Sequence, residues 1–198
     1  TRGFAMGGDA DSYENVIDYV TIASLGNAAD FGNLTVARTT GATTGSPVRV
    51  LHANGTTGSV SNVIDYITAT SIGNAIDFGD TTVSNMNRAG VNSNTRGVFG
   101  GGRNPVINVI DYVEFNTLGN AADFGDLSQS RGYLAGCSNE KRGVFVAGGT
   151  PSAVNTMDFI TIAATGNAVD FGDCIISATY QAGCSQGHGG IPDGEPLS

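Results

Sequence analysis

An all-β fold made of four copies of one unit is what this sequence predicts, and three observations carry that expectation. Asn15-Val-Ile-Asp-Tyr-Val20 returns as Asn62-Val-Ile-Asp-Tyr-Ile67, Asn108-Val-Ile-Asp-Tyr-Val113 and Asn155-Thr-Met-Asp-Phe-Ile160, at intervals of 47, 46 and 47 residues. Gly26-Asn-Ala-Ala-Asp-Phe-Gly32 recurs in the same register from Gly73, Gly119 and Gly166. No window carries a sustained helical stripe, whereas short β-branched and aromatic runs bounded by Gly, Asn and Pro recur throughout. A fixed period of this length marks units that bury their faces only when neighbours stack on them.

The elements of one copy follow in order. In the third, Val98-Phe99 before Gly100-Gly101-Gly102 and then Val109-Ile110-Asp111-Tyr112-Val113 read as half-buried strands. Ala121-Ala122-Asp123-Phe124 fits a third short strand, and Tyr133-Leu134-Ala135-Gly136 a fourth. Four strands per 46–47 residues, four times over, predict a four-bladed β-propeller. The chain opens on what reads as the second strand of a blade, Arg2-Gly3-Phe4-Ala5-Met6, and ends its repeats on a first strand, Ile176 to Gly183. Pairing of these N- and C-terminal strands would close the ring and cover two sheet edges. Small residues at Ala42, Ala89-Gly90, Ala135-Gly136 and Ala182-Gly183 suit innermost strands crowded at a narrow axis. The alternative is that the chain is a fragment, or half of an eight-bladed ring formed by two copies. The expected organisation is a propeller over residues 1–185 and a Gly/Pro-rich arm over 186–198, docked on its own propeller or on a neighbour. The start at Thr1 implies loss of an initiator Met or a longer leader.

Hydrophobic strand, glycine pair, variable loop, Asp-Tyr, a second aromatic a dozen residues on, then Arg: this order resembles the kelch repeat. In the third copy these residues are Val98-Phe99, Gly101-Gly102, Asp111-Tyr112, Phe124 and Arg131. Phe31, Phe78, Phe124 and Phe171 stand where kelch repeats usually carry Trp, and Asn85 and Ala178 replace the Arg in two copies. The wording of the repeat is also similar to kelch-like repeats in virion structural proteins of tailed phages. That resemblance implies a fibre, decoration or host-attachment component, located on a virion or outside the cell, contacting other virion proteins or a host receptor or glycan.

Residues shared by all copies read as scaffold. Asp18, Asp65, Asp111 and Asp158, and likewise Asp30, Asp77, Asp123 and Asp170, are expected to accept hydrogen bonds from turn amides, in preference to a calcium or catalytic ring. Recognition is expected where the copies disagree, in the loops after the second strand, because loops on a rigid scaffold carry contacts. These loops offer Asp9, Asp11, Tyr13 and Glu14, then Asn54, then Arg103 and Asn104 as candidate binding residues. Asp9-x-Asp11-x-x-Glu14 brings three hard oxygens close in sequence but lacks the rest of a calcium loop. No metal site is therefore assigned, and no cofactor. Cys137 and Cys184 share a repeat position and are expected to be small buried thiols or, in the alternative, a disulfide, while Cys174 has no counterpart. His52 is read as capping a strand.

The charge balance excludes some partners. Nine Lys+Arg against eighteen Asp+Glu give a net charge of −9, which leaves no basic patch for nucleic acid or an anionic membrane. No apolar run approaches the ~18 residues of a spanning helix. Outside the repeated Asp positions nothing resembles a nucleophile elbow, a phosphate loop or a paired acid/base set, so catalysis is not expected. The sequence thus points to a non-catalytic binding or structural module, with a secreted multivalent carbohydrate-binding lectin as alternative, an enzyme with a site assembled across blades third, and a homo-oligomer possible in any case.

Overall fold

The computed structural model describes residues 2–183. Their fifteen strands form four antiparallel sheets in chain order, with no helix among them. Sheet I contains β1 (Arg2–Asp9), β2 (Tyr13–Thr21) and β3 (Ala29–Asn33). Sheet II contains β4 (Ala42–Gly45), β5 (Arg49–Ala53), β6 (Ser61–Thr68) and β7 (Ile76–Asn85). Sheet III contains β8 (Ala89–Asn92), β9 (Arg96–Gly100), β10 (Val109–Glu114) and β11 (Ala122–Asp126). Sheet IV contains β12 (Ala135–Ser138), β13 (Arg142–Val146), β14 (Val154–Thr161) and β15 (Val169–Ala178). The expected strand around Tyr133 begins two residues later, because Tyr133 itself has a φ of 59° and cannot sit in a pleat.

Inside each sheet the repeated aromatics meet edge to face. Tyr19–Phe31, Tyr66–Phe78, Tyr112–Phe124 and Phe159–Phe171 have centroids 5.8, 5.9, 5.8 and 6.0 Å apart. An arginine covers the first ring of each pair: Arg2, Arg49, Arg96 and Arg142 lie 4.6 to 4.9 Å from the centroids of Tyr19, Tyr66, Tyr112 and Phe159. Every sheet also carries a register shift at the repeated Asp, opposite a glycine. Gly32, Gly79 and Gly125 hold φ of 148°, 143° and 145° there, a backbone that bulges need and L side chains resist.

The same glycines bring successive sheets together. A Cβ on Gly32, Gly79 or Gly125 would fall 2.4 to 2.5 Å from backbone of Gly73, Gly119 or Gly166 in the next sheet. Gly73 N–H then donates to Phe31 O at 2.9 Å and Ala75 N–H to Asn33 O at 2.8 Å, while Asn74 Oδ1 accepts from Asn33 N–H at 3.0 Å. Identical sets join Gly119-Asn-Ala121 to sheet II and Gly166-Asn-Ala168 to sheet III. The Gly-Asn-Ala-x-Asp-Phe-Gly motif therefore works twice, its first half clasping the preceding sheet and its second half being clasped by the next. Phe31, Phe78 and Phe124 fill these junctions at 1, 3 and 2 % exposure. Each buried ring contributes about 1.5–3 kcal/mol of apolar burial.

Among the described residues the series stays open at its ends. Ile176 to Ala178 do not start a new strand; they finish β15, with Val154 opposite Ala178. Among the described residues β1 pairs only with β2, so sheet I has three strands and no sheet closes through both ends of the chain. The physical reason lies in β15, which runs on past its bulge as β7 does and so uses residues expected to cross over. The arm over 186–198 and Cys184 lie outside the described residues.

Candidate functional site

Four residues at one repeat position, Thr40, Asn87, Tyr133 and Tyr180, share a left-handed backbone with φ of 59°, 54°, 59° and 59°. Each precedes the first strand of a sheet or its sequence equivalent. They are strung together across sheets: Asn87 N–H donates to Thr40 O at 2.9 Å, Tyr133 N–H to Asn87 O at 3.0 Å and Tyr180 N–H to Tyr133 O at 3.2 Å. This conformation costs a non-glycine residue roughly 1 kcal/mol, which the three repeated hydrogen bonds offset. The ladder lines a depression of about 250 Å³ with contributions from all four repeats, including Gly41, Arg88, Leu134 and Gln181 one residue further on.

The ladder's backbone is uniform and its side chains are not. A hydroxyl, an amide and two phenols face one hollow. Tyr133 and Tyr180 stack with centroids 4.1 Å apart and planes tilted by 37°, and Arg103 lies 4.9 Å from the Tyr133 centroid. A hydrogen bond to Tyr133 pushes the Tyr180 phenol above its usual pKa, against the opposing pull of Arg103. An aromatic pair flanked by a cation, an amide and a hydroxyl can stack on the face of a ring and hydrogen-bond its edges.

The loops after each second strand border this ladder, because each is tied to the connector before it. Gly8 N–H donates to Arg38 O at 3.1 Å, two residues before Thr40, and bridges join Thr39 to Thr56, Met86 to Arg103 and Gly132 to Gly149. Of the candidate binding residues, Arg103 thus lies over Tyr133, which lines the depression, and Asn104 follows it at a φ of 76° before a cis bond to Pro105. Asp9, Asp11 and Tyr13 are exposed at the β1–β2 turn of sheet I, where Glu14 accepts from Ser12 Oγ at 3.3 Å. Asn54 is a correction. It is fully buried, its Nδ2 donating to Ser61 O, Thr81 Oγ1 and Val83 O, because its left-handed φ of 62° turns the amide inward to close the β5–β6 connection. Thr40, Asn87, Tyr133 and Tyr180 were not among the sequence candidates. Their signal was present: one repeat position, directly before the small inner-strand residues, where four copies carry three different side chains.

The most perturbed ionisable groups lie elsewhere and hold sheets together. Arg38–Asp65, Arg88–Asp111 and Arg131–Asp158 pair at 3.1, 2.5 and 3.0 Å with every side chain wholly buried. Burial pushes the three guanidiniums below their usual pKa, and the paired carboxylates pull back. The same carboxylates accept from the hydroxyls of Thr35 and Ser128, just after β3 and β11, and of Thr82 within β7. The repeated Asp of the Asn-Val-Ile-Asp-Tyr motif thus binds guanidinium and hydroxyl, and at Asp65 and Asp158 also a turn amide, where turn amides were expected. The other repeated set does take turn amides: Asp77 and Asp170 accept from Gly79 and Gly172 N–H at 3.2 and 3.1 Å.

Arg88 arrives three residues beyond the register of Arg38 and Arg131, the place taken by Asn85. It is nonetheless the best bonded of the three, with Nε to Gly101 O and Nη2 to Phe99 O and Val109 O besides its carboxylate. His52 also departs from its expected role as a cap. It lies buried inside β5, its ring 3.1 Å from Thr43 Oγ1, and burial with nearby Arg38 lowers its pKa to about 3.

Among the described residues no three His, Cys, Asp or Glu side chains gather as a metal site would require, so Asp9, Asp11 and Glu14 do not converge on a cation. Cys137 lies in β12, and Cys174 in β15 accepts from Asn155 Nδ2 at 3.3 Å through its carbonyl; Cys184, the other half of the suspected thiol pair, is outside the described residues. No described helix is long and apolar enough to cross a membrane. No protein-family model matches the chain, and no curated protein matches it in sequence.

Proposed function

We propose that this protein is a non-catalytic binding module, a kelch-like arrangement of four blades around an axis through the Thr40–Asn87–Tyr133–Tyr180 depression. The observation that carries the reading is a uniform backbone ladder with unlike side chains, tied to the variable loops. Such a ladder holds its contact groups in place before a ligand arrives, which lowers the ordering cost of binding. Attachment to a virion, with other virion proteins or a host receptor as partners, is proposed on the likeness of the repeat wording. No reaction is proposed, since Asp65, Asp111 and Asp158 are occupied by arginines and hydroxyls, and Asp77 and Asp170 by bulge amides.

Glycan is the ligand class that the depression favours, because the Tyr133–Tyr180 stack beside Arg103 suits a sugar face and its hydroxyls. The test is a glycan array followed by titration calorimetry with the best binder, comparing the protein with Tyr180→Ala and Arg103→Ala. Binding lost in both variants, with thermal stability unchanged, is the expected result. Binding that survives both variants, or an array without binders, overturns the glycan reading, and absence of the chain from purified virions overturns the particle assignment.

A further inference from the structure

The two ends of the series are not equivalent, and one of them has the chemistry of a receptor. In sheets II, III and IV the face turned to the preceding sheet presents an Asp, an apolar residue two positions later and an Ala at the clasp. These are Asp65, Ile67 and Ala75; Asp111, Val113 and Ala121; and Asp158, Ile160 and Ala168. Each face takes a Phe from its neighbour, with a Thr or Ser four residues later and an Arg that closes on the Asp. Sheet I repeats this surface as Asp18, Val20 and Ala28, but among the described residues nothing covers it. Val20 and Ile22 are 40 and 65 % exposed, and a cavity of about 270 Å³ opens between Gly3, Ala5, Asp18, Val20 and Ala28, where the other faces seat their Phe.

Among the described residues no segment supplies the missing edge. Sheet IV presents Phe171 at 50 % exposure, but Ile175 and Ala178 stand in the places of the hydroxyl and the guanidinium, and Gln181, at the position from which Arg88 reaches Asp111, is neutral. All eight arginines are already engaged, three in buried pairs and five on aromatic rings. Residues 184–198 contain neither Arg, Lys nor Phe. Burying Asp18 against Ile175 would strand a carboxylate, a cost of several kcal/mol.

We propose that the exposed face of sheet I docks a β-sheet edge of a partner protein that carries Phe, a hydroxyl residue four positions on and Arg seven positions on, the guanidinium pairing with Asp18. The spacing is that of Phe31, Thr35 and Arg38 and of Phe124, Ser128 and Arg131. The clasp residues Gly26, Asn27 and Ala28 would then bond the partner backbone as Gly73, Asn74 and Ala75 bond sheet I.

The full chain with Ile175→Thr and Ala178→Arg is the probe, because it presents the proposed edge at the exposed Ile175 and the half-buried Ala178. Sedimentation velocity and thermal melting are compared for the unchanged chain, the double variant and the double variant with Asp18→Asn. Docking by the variant is expected either as head-to-tail association at least roughly tenfold tighter than the unchanged chain, or as a monomer with a raised Tm where its own sheet I is the receiver. Asp18→Asn should abolish either gain, and added salt should weaken the association. A variant with unchanged mass and Tm overturns the proposal. So does an unchanged chain that associates equally well, since the edge would then need no arginine, and so does insensitivity to Asp18→Asn.

Discussion

Asp111 and Asp18 occupy the same place in the repeat and live in opposite circumstances. Asp111 is wholly buried beneath Thr82 and Arg88, while Asp18 is half-buried on a face with no neighbouring sheet among the described residues. The same contrast runs through the bulge glycines: Gly125 is pressed against Gly166, and Gly172 has nothing within 4 Å. A repeat residue is therefore not structural by its identity alone. It becomes so when a second sheet arrives, and the terminal copies show what each unit is like before that.

Breaking the comparison at its centre should have the largest effect. Asp111→Ala leaves the Arg88 guanidinium buried without its counter-charge, an expected loss of about 3–5 kcal/mol by denaturant unfolding. Asp18→Ala should stay within about 0.5 kcal/mol.

His52 supplies the next test, and its sign follows from its lowered pKa of about 3. The unfolded chain takes up a proton near pH 6.5, but the folded one does not until near pH 3, so stability is full above neutrality and falls on acidification through that window. About 3 kcal/mol should be lost between pH 7 and pH 4, and His52→Gln should flatten that slope.

The glycines sharpen the contrast further. Gly125→Ala and Gly172→Ala share the strain of a positive φ, but only the former forces a Cβ to 2.5 Å from backbone. The difference between their Tm shifts isolates the close approach, and Gly125→Ala should be the worse by about 1–3 kcal/mol.

The smallest effect concerns the junctions themselves. Ala69 sits where Phe115 and Ile162 pack at the other two, and a cavity of about 580 Å³ opens there beside Arg2, Phe4 and Val50. Ala69→Ile should raise stability by about 0.5–1 kcal/mol, read as a higher denaturation midpoint at unchanged slope.

Legibility followed range. The period, the strand runs and the paired aromatics could be read from the chain because they repeat at fixed spacing and depend on neighbours within one sheet. Arg88 could not be assigned to Asp111 in advance, since it lies three residues out of register and only the folded connector carries it there. Asn54 looked like a loop residue and is a buried knot, because a left-handed backbone angle, not composition, decides where its amide points. The depression was half visible: Arg103 was a candidate, whereas its partners Tyr133 and Tyr180 lie 47 residues apart and meet through a ladder crossing two sheets.

Sequence alone determined that this is an all-β repeat protein and which residues each unit shares, because strand periodicity and turn chemistry are local properties. Tertiary structure alone decided which of the repeated acids are buried, where the unlike residues converge and that the terminal faces stay uncovered among the described residues. Those outcomes depend on desolvation and close packing between sheets, and a carboxylate, a phenylalanine or a glycine carries no record of them until another surface comes within contact distance.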